Sequence, residues 1–231
     1  MSQKRISVIR PVYNEASQMN DLLKTLQFID QSKIQHELII VDGGSQDQTV
    51  MLLEQAGYQV FQSPKGRGNQ LRMGAQKANG DIYFFLHADH TFKSDPLVSI
   101  IKSLEESSVG AFPICFMDES SWILRVIRWG SNWRLRWRNI AFGDQGMYMT
   151  AKVYDKVGGF RAIPLMEDYD LSIRLKQLGY SFQVADQPIY ASSRRFDQTG
   201  GLRLLIRMQY CQWLFRRNVP IERINEIYYR K

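Results

Sequence analysis

Two short segments hold the side chains best placed to do chemistry. One is Phe84-Phe85-Leu86-His87-Ala88-Asp89, an apolar run that stops at a His-x-Asp. The other is Pro164-Leu165-Met166-Glu167-Asp168-Tyr169-Asp170, where an acidic cluster opens a helical pattern. An apolar strand that ends on a carboxylate presents it at the sheet's carboxyl edge, where open α/β sheets bind ligands. Asp89 there is an anionic ligand for Mg²⁺ or Mn²⁺, ions held through one or two carboxylates, diphosphate oxygens and water. A ligating His87 tilts the preference towards Mn²⁺; a hydrogen-bonded buried histidine is the competing reading. Asp168 is the candidate general base, while Asp170 suits a capping role on the helix dipole. A cation-holding carboxylate and a proton-accepting one, brought near each other, point to metal-assisted transfer of a phosphate-linked group.

Two more segments belong with these. Asp42-Gly43-Gly44 follows an apolar run. Ionised Asp42 accepts hydrogen bonds, as from a base N–H or a ribose hydroxyl, and Gly43 lets backbone approach a ligand closely. A turn followed by a helix cap explains the same residues. Lys65-Gly66-Arg67-Gly68 precedes a helical pattern, where glycines and cations suit a diphosphate. It is neither a Walker loop nor a dinucleotide fingerprint, since no Gly-Lys-Ser/Thr follows and Leu71 replaces a third glycine. A solvated basic turn is the alternative.

The elements that must position these groups alternate through the first half. Ile6 to Val12, Leu38 to Val41, Val60-Phe61 and Asp81 to Leu86 read as strands. Helices fall between them, with Ser45 and Gln48 as a capping box for the second and residues 69 to 79 forming the third. Asp95-Pro96 starts another. This rhythm predicts an α/β fold with a mostly parallel sheet flanked by helices. The strand ends Asn14-Glu15, Asp42-Gly43-Gly44 and His87-Ala88-Asp89 should then face one crevice.

After residue 108 the rhythm changes. Val109 to Met117 and Gln145 to Met149 read as strands, 167 to 178 as a helix, and 201 to 217 as a long basic amphipathic helix. Trp122, Trp129, Trp133 and Trp137 fall within roughly 80° on a continuous helix. That stripe is a buried core face, an aromatic wall for an acceptor, or an interfacial face on anionic lipid. Gly130-Ser131-Asn132 is the place where such a helix could break. The expectation is one domain, with about 1–108 binding a nucleotide and about 109–231 carrying specificity.

Hydrophobic residues at 44 % and charged residues at 23 % exclude a disordered chain. The net charge of +7, concentrated in the second half, allows nucleic acid, an anionic membrane surface or a phosphorylated substrate as partner. Cys115 and Cys211 lack metal-ligand spacing and read as reduced structural thiols of a cytosolic protein. The N-terminal apolar stretch is too short for a signal peptide, and no run approaches the roughly 18 apolar residues of a membrane span. A cytoplasmic protein is expected, with the inner face of the cell membrane as a possible station.

Taken together the motifs resemble the family 2 glycosyltransferases of GT-A fold. The likeness is carried by Pro11-Val12-Tyr13-Asn14-Glu15, Val41-Asp42-Gly43-Gly44-Ser45, Asn79-Gly80-Asp81, Leu86-His87-Ala88-Asp89, Gly158-Gly159-Phe160 and Glu167-Asp168-Tyr169-Asp170-Leu171. Lys65 to Asn69 and His-Ala-Asp further resemble a small bacterial subgroup. The resemblance implies that Glu15 and Asp42 contact the nucleoside of a UDP-sugar. It brings Pro11, Tyr13, Gly43, Lys65, Arg67 and Ala88 into the nucleotide-binding set. It implies Asp89 as the metal-binding aspartate, with His87 standing where many relatives have Asp, and Asp168 as the base of the Glu167-Asp168 element. Asp144 and Gln145 would touch an acceptor sugar, and Arg194 and Arg195 would clamp the diphosphate. The activity so implied is inverting transfer of a sugar from a nucleotide-sugar to an acceptor hydroxyl with Mn²⁺ or Mg²⁺. The competing readings are a nucleotidyltransferase and a non-catalytic basic protein on membrane or nucleic acid; no nucleic-acid module is present, so no nucleic-acid partner is expected.

Overall fold

The computed structural model describes residues 4–117, 121–192 and 201–229 of the 231-residue chain. β1 (Ile6–Val12) is buried at every position, as a central strand covered on both faces must be. β2 (His36–Asp42) and β4 (Ile82–Phe85) pair with it in parallel, Val12 lying opposite Asp42 and Ile9 opposite Phe85. β3 (Val60–Gln62) extends the sheet beyond β2, also in parallel. On the other side β7 (Tyr148–Thr150) runs antiparallel to β4, β5 (Val109–Ala111) antiparallel to β7, and β8 (Gln183–Val184) parallel to β5. The order is β3-β2-β1-β4-β7-β5-β8. This is the mostly parallel α/β sheet that the alternating pattern predicts.

Successive strand residues point to opposite faces, so the sheet carries two cores. Ile9, Val41, Tyr83 and Phe85 face α3 (Arg67–Lys77), α6 (Ala151–Val157) and α7 (Glu167–Gln177). Ile6, Val8, Ile82 and Phe84 face the end of α1 (Met19–Asp30), α4 (Pro96–Ser103) and the buried side of α5 (Trp122–Trp133). α3 lies close to the sheet at Gly74, where a Cβ would sit 2.3 Å from Ile9 Cγ2. A third cluster joins Phe142, Leu165, Met166 and Tyr169 to α8 (Gly201–Arg216) and α9 (Ile221–Tyr229).

Several local expectations need correction. Val109 to Met117 is not one strand. At Pro113, which has no N–H for a ladder, the chain leaves the main sheet. β6 (Ile114–Phe116) then pairs in parallel with β9 (Ile189–Ala191) in a separate two-stranded sheet. Ser45 and Gln48 do not form a capping box: α2 (Thr49–Gln55) starts later, and Asp47 Oδ1 accepts from Thr49 N at 3.0 Å. Asp95 does cap α4, accepting from Leu97 N at 2.9 Å. α5 does not break at Gly130-Ser131-Asn132. It continues into a π-helical turn over Arg134–Arg138, and Asn132 instead clamps both backbone groups of Ile114. The tryptophans are not a buried face: Trp122, Trp129, Trp133 and Trp137 are 44–76 % exposed, while Leu124, Ile127 and Leu135 enter the core. Cys115 and Cys211 carry free thiols. Among the described residues no helix is long and apolar enough to cross a membrane.

Candidate active site

The ends of β1 and β4 and the first turns of α3 and α7 converge on one cleft of about 960 Å³. Its lining includes Pro11, Tyr13 and Glu15 after β1, Lys65 and Arg67 at α3, His87, Ala88 and Asp89 after β4, and Glu167. Lys65 Nζ donates to Tyr13 Oη at 3.0 Å and sits 4.6 Å from the Tyr13 ring centre. Asp42 and Gly43 do not join this lining. Asp42 is buried and accepts from Gly44 N at 2.8 Å, Ser45 N at 2.9 Å and Ser45 Oγ. Gly43 packs against the Gln70 side chain, which donates to Val12 O and Val41 O. These residues tie the ends of β1 and β2 beneath the cleft.

A smaller cavity of about 150 Å³ adjoins the cleft and shares Arg67, His87, Asp89, Leu165 and Tyr228 with it. Asp89, Asp144 and Asp168 all line this cavity. So does His90, which sequence reasoning missed. The ligand atoms of His87, Asp89 and His90 lie within 4.8 Å of one another. The two imidazoles stack with centres 5.1 Å apart and planes 10° apart. His90 is buried, and its Nδ1 has no hydrogen-bond partner. Burial lowers its pKa to about 4; nearby Arg10 and Arg67 add to this and Asp89 opposes it. His90 is therefore a neutral imidazole at pH 7, the form that ligates. Two imidazoles, a carboxylate and an orphaned ring nitrogen fit a divalent cation. The sequence signal was available, since His90 is adjacent to Asp89 and three residues after His87.

Beneath this cluster Arg10 is fully buried within β1. Its Nη2 donates to Ala88 O at 2.7 Å, while Nε and Nη1 have no partner. Burial lowers its pKa to about 10, although Asp89 and Glu15 act against the shift. A cation under the His-Ala-Asp loop fixes the backbone that carries Asp89.

α7 begins after Met166, held in the left-handed region at φ 66°. Such a residue persists only where its surroundings over-determine it. Glu167 is 1 % exposed and pairs with Arg67 Nε. Burial raises the Glu167 pKa, with Arg67 opposing. Burial pulls Arg67 down, but Glu167 and Asp168 outweigh it and hold the guanidinium above its usual value. Asp168 Oδ2 accepts from Gly143 N at 2.8 Å and lies 3.9 Å from Arg67 Nη2. Gly143 is wedged against the site: a Cβ there would sit 2.4 Å from His87 Nε2 and 3.2 Å from Asp168 Oδ2. Asp170 takes the structural role expected of it, between Arg161 at 3.0 Å and Arg174 at 2.7 Å.

Asp144 reaches the cavity, and its buried Oδ1 has no partner. Burial raises its pKa to about 6, with Arg134 opposing and Asp168 adding to the rise. Gln145 does not reach the cavity. It is buried, accepts from Arg134 Nη2 at 3.0 Å and Phe142 N at 3.3 Å, and so holds the loop that delivers Asp144. Arg194 and Arg195 lie outside the described residues.

Residues 7–164 match the family model described as Glycosyl transferase family 2. An undecaprenyl-phosphate 4-deoxy-4-formamido-L-arabinose transferase of Photorhabdus laumondii is 30 % identical over 112 residues, covering 45 % of this chain and 34 % of the relative. The probable glycosyltransferase YdaM of Bacillus subtilis is 24 % identical over 201 residues, covering 76 % of this chain and 47 % of its own length. The chain thus matches less than half the length of either curated relative. Among solved structures, a Pyrobaculum calidifontis mannosyltransferase in complex with GDP-Man and Mn²⁺ superposes with a TM-score of 0.67 at 19 % identity, over 92 % of this chain and 62 % of that one. TarS of S. aureus in complex with UDP-GlcNAc gives 0.62 at 20 % identity, over 81 % and 58 %. The fold is that of the GT-A glycosyltransferases, and with more than half its length matched by the family model the chain belongs to glycosyl transferase family 2.

Proposed function

We propose that the protein transfers a sugar from a nucleotide-sugar, of the UDP class, to an acceptor hydroxyl with inversion at the anomeric carbon. The observation that carries the reading is that Asp89 and Asp168 line one cavity opening beside a nucleotide-sized cleft. Residues of about 1–108 bind the donor, and those of about 109–231 carry acceptor specificity. Pro11 and Tyr13 form the side of the cleft that takes the base, and Glu15 accepts from ribose hydroxyls. Lys65 and Arg67 face the diphosphate as its negative charge builds. His87, Asp89 and His90 would hold a divalent ion, Mn²⁺ or Mg²⁺, which supplies Lewis-acid neutralisation of the departing diphosphate.

Asp168 accepts the proton of the acceptor hydroxyl while that oxygen bonds to the anomeric carbon. The bond from that carbon to the diphosphate oxygen breaks on the opposite face, and the electron pair leaves with the nucleoside diphosphate. The Gly143 N–H, which donates to Asp168 Oδ2, and nearby Arg67 orient the Asp168 carboxylate. Of the readings open from sequence, family membership favours the transferase over the nucleotidyltransferase.

Thermal unfolding with UDP, Mn²⁺ and both together tests the donor site. At a hundredfold excess over Kd, a single-site ligand should raise the midpoint by roughly 5–10 °C, with the two together acting more than additively. An unchanged midpoint with UDP or GDP in the presence of Mn²⁺ would remove the reading. A screen of nucleotide-sugars for hydrolysis then identifies the donor.

A further inference from the structure

We propose that α5, the turn Arg134–Arg138 and α8 together form a surface that lies on an anionic membrane, independently of which sugar is transferred. Trp122, Val126, Trp129 and Trp133 are all exposed, by 44–69 %, although each side chain is largely apolar, with one indole N–H per tryptophan as its only polar group. On a regular helix they fall within an arc of roughly 60°. Trp129 and Trp133 stack on each other, with ring centres 6.5 Å apart. On α8 the residues Ile206, Tyr210 and Trp213 are exposed by 44–61 % and share a second narrow stripe. Tyr210 stacks on Trp213 at 5.9 Å, and Arg217 lies over the Trp213 ring at 4.9 Å. α5 and α8 pack against each other, so the stripes are carried by neighbouring helices. Stripes of exposed large apolar side chains on neighbouring helices mark an interaction site.

The charge around the stripes selects the occupant. No acidic residue occurs between Trp122 and Arg138 or between Gly201 and Arg217, while arginines recur through both. Exposed Arg125, Arg136, Arg203 and Arg217 flank the aromatic residues. An indole stripe bordered by arginines suits the headgroup region of an anionic bilayer, where the rings sit at the interface and the guanidiniums meet phosphate. The opposite face of α8 presents Leu204, Met208 and Gln212 to the smaller cavity. A single helix therefore separates the cavity that contains Asp168 from the proposed membrane face.

Flotation of the protein with phosphatidylcholine vesicles, with and without phosphatidylglycerol as the anionic lipid, tests the proposal. Binding is expected only to the anionic vesicles, with a blue-shifted tryptophan emission and loss at high salt. The variant W129A/W133A/W213A removes only exposed side chains and should weaken partitioning at least about tenfold. Arg125→Gln and Arg136→Gln should each weaken it about fivefold. UDP-dependent thermal stabilisation of these variants reports the donor site separately. Absence of flotation at low salt, or full binding by the triple variant, would overturn the proposal. So would concentration-dependent self-association or RNA binding through this face without vesicle binding.

Discussion

Arg67 and Glu167 meet across a hundred residues of sequence, one at the first turn of α3 and the other at the first turn of α7. This ion pair joins the side of the cleft after β3 to the segment that carries Asp168. Glu167 is almost completely buried, so its charge depends on that one guanidinium. Removing a single partner of a buried pair is far more costly than the pair is worth.

Arg67 is itself 37 % exposed, and solvent screening reduces the cost of Arg67→Ala to about 1–2 kcal/mol at pH 7. Burial already raises the Glu167 pKa, and losing Arg67 raises it further. The folded state then binds a proton that the unfolded state releases, so the deficit grows as pH rises above the unfolded carboxylate range and shrinks in acid. Urea denaturation at pH 4.5 and pH 7.5 should show the smaller difference from the parent protein at the lower pH.

Asp168→Asn removes the proposed proton acceptor while keeping a group that bonds in the same place. Turnover should fall by roughly 10²- to 10⁴-fold, with UDP affinity in calorimetric titration unchanged. Near-normal turnover would take the base assignment away from Asp168.

Asp144 gives a second pH signature. Its pKa is raised to about 6 by burial, beyond what Arg134 offsets. A carboxyl with a raised folded-state pKa binds more protons folded than unfolded, so stability falls as pH climbs from about 4 to about 6. Asp144→Asn should relieve this cost, raising stability by about 1–2 kcal/mol at pH 7.5 and much less at pH 4.5. Paired thermal melts at the two pH values check the sign.

Gly143→Ala probes the wedge between the imidazole and the carboxylate. Its new methyl would overlap His87 Nε2, so His87, Asp168 or the loop must shift. A cost of about 1–3 kcal/mol in stability is expected. Mn²⁺ affinity should fall together with turnover, whereas UDP affinity without metal should hold.

Much of the architecture was readable because residues 38–41 in β2 and Ile82–Phe85 in β4 are continuous apolar runs, and β1 is apolar apart from Ser7 and Arg10, a pattern that a buried parallel strand makes and an exposed helix does not. The run from Val109 to Met117 was misread because periodicity reports burial and not partner. Both of its halves are strand, but they join different sheets. The tryptophan stripe was ambiguous for a related reason. α5 is apolar on two sides, and sequence does not say that Leu124 and Ile127 rather than the indoles face the core. Asp42 carries two readings that its motif does not separate: the oxygens that suit a ribose also suit the backbone N–H groups of Gly44 and Ser45, from which Oδ2 accepts. His90, by contrast, was legible and overlooked, because its partners were read as a two-residue motif.

The departure of the chain from the main sheet at Pro113 bears on the smaller cavity. Ile114, Phe116 and Ala191, which wall the smaller cavity, ride on a two-stranded ladder separate from the one that carries Asp89. Under the proposed function, substitutions in that ladder would alter the wall around the acceptor, and because Tyr190 exchanges backbone hydrogen bonds with Thr91 they would also be felt beside His90. On that reading the fit of the acceptor rests on a handful of side chains carried outside the seven-stranded sheet.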